Sequence, residues 1–369
     1  MFGKVLQNIY HPLLFPNISC VFTAYYLNLP KNFTHNLTLV NTSDIMIAEV
    51  ADSLRLRLFN KNTGCESMTD IKNKIQKLKE EKTAVILAHY YAPSEVQEVA
   101  DYVGDSFYLA KLAKESNADM IVFCGVSFMG ESAKILNPSK KVLMPDLSAD
   151  CAMAHMADIS KINEIRQSYD DVAVVCYVNS TAELKCVSDV CVTSSNAVKI
   201  VKNLPNKNIF FIPDRNLGRF VAENVPDKNI ILNDGCCPIH AAISKGQLED
   251  AKRAHPDAVV LSHPECEPEV LLISDYIGST ADIIAYVEKS DAKEFIICTE
   301  DGVLYKLKTD NPDKKFYFPD PCPHCRDMKL NTLENILSVM EKENGEVVLS
   351  EDVIKKALLP LERMLELAR

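Results

Sequence analysis

Val142-Leu-Met-Pro-Asp-Leu-Ser-Ala-Asp-Cys151, Ile230-Ile-Leu-Asn-Asp-Gly-Cys-Cys237 and Phe316-Tyr-Phe-Pro-Asp-Pro-Cys-Pro-His-Cys325 are three forms of one phrase: an apolar run, then Asp or Asn with Pro or Gly, then a cysteine. The chain around them repeats in step. His89-Tyr-Tyr-Ala-Pro-Ser-Glu95 leads to Asp101 and Gly104-Asp-Ser106; Tyr177-Val-Asn-Ser-Thr-Ala-Glu183 leads to Asp189 and Thr193-Ser194. His263-Pro-Glu-Cys-Glu-Pro-Glu269 leads to Asp275 and Gly278-Ser-Thr280. Tyr177 stands 88 positions after His89 and His263 stands 174 after it; the same offsets relate Glu95 to Glu183 and Glu269, and Asp101 to Asp189 and Asp275. A repeat of this length is one supersecondary unit used three times. Three like units tend to close around a pseudo-threefold axis. The equivalent cysteines Cys151, Cys237 and Cys325 would then converge as a three-thiolate metal site with one coordination position open.

Within each copy, short continuous apolar runs alternate with helical patterns. The first predicts strands at Ala84–Ala88, Met120–Cys124 and Val142–Met144, with helices from about Ser94, at Phe107–Ser116 and at Ser127–Leu136. The second offers strands at Val172–Cys176, Val190–Val192 and Ile209–Ile212, and the third at Ala258–Leu261, Tyr276–Ile277 and Phe295–Cys298. Unbroken apolar strands suit parallel sheets covered on both faces, and strand–helix alternation suits right-handed βαβ units. The expected fold is α/β: three pseudo-threefold-related αβα sandwich domains with short parallel sheets around a central active site. Residues 1–67 do not repeat and read as an N-terminal extension; the units occupy 68–148, 149–236 and 237–331, and 332–369 read as C-terminal helices. Thr69-Asp70 is the expected cap of a first helix, Ile71–Glu81. The last two helices are read at Leu333–Glu343 and Ser350–Arg369, with a kink at Pro360.

Composition narrows the function. With 369 residues, 47% hydrophobic and 25% charged, the chain can bury a sizeable core. A net charge of −11 argues against nucleic acid as a partner, since phosphate binding wants a basic surface. No apolar run approaches the eighteen or so residues of a membrane span. Thirteen cysteines is an odd number, and Cys124, Cys176, Cys191 and Cys298 fall in strand runs as core residues. This is no secreted disulfide framework, so the chain reads as cytoplasmic. The sequons at Asn32, Asn36 and Asn41, like Cys20 and Cys65, belong to the extension.

Three groups of residues carry chemistry. Cys322-Pro-His-Cys325 lacks the second C-x-x-C that a four-cysteine zinc site needs. Three symmetry-related thiolates suit an iron–sulfur cluster with one iron left without a protein ligand. Cys236 adjoins Cys237 and leaves the second ligand ambiguous; Cys322, able to pair reversibly with Cys325, is not read as a ligand. Next come His89, Tyr91, Tyr177, Asn179, His263 and Glu265, just past the C-terminal end of the first strand of each unit, where parallel sheets bind ligands. Histidine and glutamate there suit proton transfer. Last, Ser106, Ser194, Ser279 and Thr280 stand at the entry to the second helix of each unit. N-capping accounts for part of their role, and convergent helix N-termini would bind an anion through free N–H groups.

Ile86-Leu-Ala-His-Tyr-Tyr91, Ala100-Asp-Tyr-Val-Gly-Asp-Ser106, Tyr177-Val-Asn179, Thr193-Ser-Ser-Asn196, His263-Pro-Glu-Cys266, Gly278-Ser-Thr280 and Cys325-Arg-Asp-Met-Lys329 occur in this order over Met68–Met340. With these motifs the chain closely resembles quinolinate synthase, the A protein of de novo NAD biosynthesis. The resemblance implies condensation of iminoaspartate with dihydroxyacetone phosphate, losing phosphate and water, on a 4Fe–4S cluster held by Cys151, Cys237 and Cys325. It implies substrate-binding roles for His89, Ser106, Tyr177, Asn179, Ser194, His263, Glu265 and Thr280, with Glu265, His263 and Tyr91 catalytic. Functional coupling to the enzyme that supplies iminoaspartate is a further expectation. Two other readings are a three-cysteine reductase, which would need an electron donor and a diphosphate site, and a non-enzymatic iron–sulfur sensor, which would not need the strand-end His, Glu and Tyr set.

Overall fold

The computed structural model describes residues 67–368; the sequons, Cys20 and Cys65 lie outside them. Ser67 opens the folded body. Its hydroxyl accepts from the Asp70 N–H and donates to the Asp70 carboxylate, capping α1 (Met68–Glu81). The expected cap at Thr69-Asp70 is therefore late: Asp70 sits at the third helical position and completes the Ser67 cap.

Three four-stranded sheets follow. The first is built from β1 (Ala84–His89), α2 (Ser94–Val99), β2 (Tyr102–Gly104), α3 (Ser106–Glu115), β3 (Met120–Cys124), α4 (Ser127–Leu136) and β4 (Lys141–Leu143). The second takes α5 (Ile159–Ser168), β5 (Val172–Tyr177), α6 (Ala182–Cys186), β6 (Val190–Val192), α7 (Ala197–Asn203), β7 (Asn208–Ile212), α8 (Arg215–Asn224) and β8 (Asn229–Leu232). The third takes α9 (Pro238–Ala241), α10 (Lys245–Ala254), β9 (Val259–Ser262), α11 (Pro268–Leu271), β10 (Tyr276–Ile277), α12 (Thr280–Lys289), β11 (Glu294–Cys298), α13 (Val303–Asp310) and β12 (Lys315–Tyr317). Helices α14 (Leu333–Lys342) and α15 (Glu351–Leu367) close the chain. The sheets share one order, β2-β1-β3-β4, β6-β5-β7-β8 and β10-β9-β11-β12, and every pairing is parallel. The expected α/β architecture of three sandwiches is what forms. Among the described residues no helix is long and apolar enough to cross a membrane.

The repeated aspartates prove to be structural ties. Asp101 accepts from Ile86 N at 2.8 Å, Asp189 from Val174 N at 2.7 Å and Asp275 from Val260 N at 2.8 Å. Each also donates its own N–H to the carbonyl of the same strand residue. One side chain thus pins the second strand of each sheet against the first, and satisfies a backbone donor that burial would otherwise penalise.

The cores follow the pleat. In the third sheet, Val260 and Ile296 join Leu248 on one face, while Leu261 and Ile297 join Ile284 on the other. Ile86 and Val122 of the first sheet pack against Ile71 and Ile75 of α1 and Ile336 and Met340 of α14. The opposite face of that sheet shares one continuous core with the second sheet and with Ala357, Leu361 and Met364 of α15. That core ties the first two units together. Helix α14 stops one residue short of the expected end because Glu343 adopts a left-handed φ of 55°. Its carboxylate is held there between Lys82 and Lys141. Pro360 lies inside α15, which continues through it, and Ser350 caps that helix.

Candidate active site

The C-terminal strand ends of all three sheets meet at one cavity of about 120 Å³. His89, Tyr91, Ser106, Cys151, Tyr177, Asn179, Ser194, Cys237, His263, Glu265, Thr280 and Cys325 all line it. The cysteine question is narrowed by direction: Cys237 faces the cavity and Cys236 does not, while Cys322 is exposed at the surface. Cys124, Cys176, Cys191 and Cys298 are fully buried in their sheets, as expected.

Strand geometry places the polar set. His89 ends β1, Tyr177 ends β5, and His263 directly follows β9. His89 Nδ1 accepts from Tyr91 N at 3.2 Å, and His263 Nδ1 accepts from Glu265 N at 3.3 Å. These matching turns leave the proton of each neutral ring on Nε2. Burial pushes both imidazoles down to about 3, so both rings are neutral donors rather than cations. The Tyr91 hydroxyl lies 2.7 Å from both Thr280 Oγ1 and Thr299 Oγ1. Burial raises the Tyr91 and Tyr177 phenols well above their ordinary range, so each keeps its proton.

Glu265 is 3% exposed. Burial alone would protonate it. His263, His240 and the Tyr177 hydroxyl outweigh that and hold the carboxyl below the usual carboxylate range. The imidazole nearest to it is not His263, whose Nδ1 lies 4.0 Å away and already accepts from the backbone, but His240, at 2.8 Å. His240 was not among the residues anticipated. It stands one helical turn after Cys237 in Cys237-Pro-Ile-His240, so α9 projects both into the site, with Nδ1 3.2 Å from Cys237 Sγ and Nε2 2.9 Å from Thr299 Oγ1.

Other contributors also escaped sequence reasoning. The backbone N–H of each of the three cysteines donates to a carboxylate: Cys151 to Asp150 at 2.8 Å, Cys237 to Asp214 at 3.0 Å and Cys325 to Glu300 at 3.0 Å. Asp214 and Glu300 each stand two residues past the third strand of their sheet, a repeat signal that was present but unread. Lys329 ties Glu300 and Asp301 together at 2.8 and 2.9 Å and donates to Tyr91 O at 2.8 Å. At Gly302 a Cβ would come within 2.6–2.7 Å of the Tyr91 backbone, so only glycine lets the third unit approach the end of β1 this closely.

The hydroxyls at the helix entries divide differently from expectation. Asp105, not Ser106, caps α3, accepting from Tyr108 N at 2.8 Å. The carboxylate takes the capping place and leaves the Ser106 hydroxyl in the cavity wall. Ser194 lies within the turn in which Asn196 Oδ1 accepts from Thr193 N at 2.8 Å, and α7 begins only at Ala197. Ser279 does cap α12, with Thr280 as its first residue.

The donor chemistry fits a group that brings positive charge. Burial raises the Cys151 thiol to about 12 and Cys237 well above its ordinary value; nearby Cys325 adds to the first shift and Cys151 to the second. Cys325 is raised likewise, by burial. Three partly buried thiols near the Glu265 and Glu300 carboxylates resist ionising alone, and a metal centre that brings positive charge would take the place of their protons.

Residues 73–366 match the family model described as quinolinate synthetase A protein. The quinolinate synthase of Fusobacterium nucleatum is 54% identical over 298 residues, 81% of this chain and 99% of that protein. Those of Caldicellulosiruptor saccharolyticus and Clostridioides difficile are 51% and 49% identical, each over 81% of this chain and 98% of the relative. With the matched residues containing all three sheets and every residue of the cavity wall, the chain belongs to the quinolinate synthase family.

Proposed function

We propose that this chain condenses iminoaspartate with dihydroxyacetone phosphate to form quinolinate, releasing phosphate and water, with a 4Fe–4S cluster held by Cys151, Cys237 and Cys325. The observation that carries the proposal is the convergence of three repeat-related cysteines and the strand-end His, Tyr, Asn and Glu set on one cavity. Held by three thiolates, such a cluster supplies one iron with an open position, a Lewis acid toward a substrate oxygen. The cluster takes no net electrons in this condensation.

The protein's own groups do the rest. Glu265, kept ionised, takes and returns the proton of a carbon acid, with His240 and the Tyr177 hydroxyl fixing its orientation. His89 and His263 offer neutral N–H donors to carbonyl or phosphate oxygens. Tyr91, locked between Thr280 and Thr299, places the triose. Asn179 Oδ1 is buried without a hydrogen-bond partner and is set to accept from the intermediate. Ser106 and Thr280 begin the ten-residue helices α3 and α12, where the first-turn N–H groups that the Asp105 and Ser279 caps leave open favour the phosphate and carboxylates in an acidic protein. Iminoaspartate, an imine, is labile to hydrolysis in water. That lability also favours direct coupling to the enzyme supplying iminoaspartate. We read the body as units 68–148, 149–236 and 237–331, followed by the helices of 332–369, and the enzyme as cytoplasmic.

The test is anaerobic reconstitution with iron and sulfide, then an assay for quinolinate from the two substrates. A preparation with a full complement of iron and sulfide that makes no quinolinate would overturn the reading.

A further inference from the structure

Cys237 Sγ, His240 Nδ1 and a Glu265 carboxylate oxygen all lie within 4.8 Å of one another, on the wall of the cavity. Cys237, at the N-cap of α9, and His240, one turn on within it, are held at fixed spacing; Glu265 comes from the loop after β9. We infer that these three residues form a second, alternative metal site, for a single borderline-soft divalent cation such as Zn²⁺, Co²⁺ or Fe²⁺, which shares Cys237 with the cluster and excludes it when filled.

Donor type, spacing and charge support this. One thiolate, one imidazole and one carboxylate make a set that zinc and its neighbours prefer and that magnesium and calcium do not. In a tetrahedron with bonds of about 2.0 to 2.3 Å, donor atoms sit roughly 3.3 to 3.7 Å apart. His240 Nδ1 stands 2.8 Å from Glu265 Oε2 and 3.2 Å from Cys237 Sγ, so a small outward movement of side chains admits the ion. The outer contacts are already in place. His240 Nε2 faces Thr299 Oγ1 at 2.9 Å, an acceptor that can keep the ring proton on Nε2 and leave Nδ1 free to ligate. Asp214 holds the Cys237 backbone, and the Asn216 amide donates to Glu265 O at 3.0 Å. A dication with one thiolate and one carboxylate is neutral overall, which suits a site where His240 and Glu265 are each 3% exposed. The fourth position opens to the cavity, as in zinc sites that keep a water.

The two metal sites need different cysteines, and that separates them. Full-length protein, purified anaerobically and stripped with a chelator, is titrated with Co²⁺ and followed by absorption. We expect one equivalent to bind, with a sulfur-to-cobalt charge-transfer band and the strong visible bands of four-coordinate cobalt, both displaced by Zn²⁺. Cys151→Ser and Cys325→Ser should keep these bands. Cys237→Ser should lose the charge-transfer band, and His240→Ala and Glu265→Gln should each weaken binding at least tenfold. Thermal melting checks that each variant is folded, and a Zn²⁺-dependent rise in melting temperature in Cys151→Ser is a second readout. Bands lost in Cys151→Ser or Cys325→Ser, or unchanged in both His240→Ala and Glu265→Gln, would overturn the site. Competition alone rests on the cluster reading: one equivalent of Zn²⁺ should cut reconstituted cluster absorbance to below a tenth. Cobalt binding as expected, with undiminished cluster assembly in the zinc-loaded protein, would overturn the shared ligand and leave the cation site standing.

Discussion

Replacing Glu265 by Gln should separate catalysis from stability. The side chain is 3% exposed, with its carboxylate 2.8 Å from His240 Nδ1 and hydrogen-bonded to Tyr177. Glutamine keeps the volume. Its carbonyl can still accept from Tyr177, and its amide can donate to His240 Nδ1 once the ring proton sits on Nε2 toward Thr299, so no buried polar atom is orphaned. What disappears is the negative charge and its basicity. General-base catalysis is worth about 10² to 10⁴ in rate, so turnover should fall at least about a hundredfold, or roughly 2.7 kcal/mol in the barrier. Stability should fall only modestly: a carboxyl held below its usual range contributes folding stability as the anion, and the amide gives up that share while keeping the packing and hydrogen bonds. The assay pairs quinolinate formation with iron content and a thermal melt. Turnover within about threefold of the parent at full iron content would remove Glu265 as the base. A melting temperature lowered by more than about 5 °C, with activity tracking the folded fraction, would make it a structural strand-end residue instead.

Three further outcomes follow from the same geometry. Cys151→Ser, Cys237→Ser and Cys325→Ser should each lose most of the iron and all activity, while Cys236→Ser, Cys124→Ser and Cys298→Ala keep both; iron lost in Cys236→Ser but retained in Cys237→Ser would reverse the choice of second ligand. Asp189→Ala removes the acceptor for buried Val174 N and the partner of Arg166 at 2.8 Å, and should cost about 2 to 4 kcal/mol in denaturant unfolding, whereas Asp189→Asn, which keeps an acceptor, should cost about 1. A chain begun at Ser67 should fold and stay fully active, because the three sheets and the whole cavity wall lie within 67–368; an inactive or insoluble product would tie residues before Ser67 to the core.

Much of this architecture is local, and so legible in the chain. Strand and helix periods, the offsets of 88 and 174, and the Asp101, Asp189 and Asp275 ties are repeated along one dimension, and three copies of a βαβ pattern leave few ways to close. The same repetition picked out the cysteines and the strand-end residues, since whatever follows the first strand of a parallel sheet emerges at its binding edge. What lay beyond the sequence depends on which loops and helices meet at the strand ends. His240 matters because α9 carries it to Glu265 and Thr299, two partners that no spacing in the sequence links to it. Asp214 and Glu300 matter because they reach the backbone of cysteines well downstream in the sequence. Capping at Ser67 and Asp105 was decided by competition between neighbouring side chains for the same N–H groups, which residue type alone does not resolve. The shared core of the first two sheets with α15 is likewise a product of packing: an apolar stripe specifies that a helix will be buried, and only the assembled surfaces specify against what.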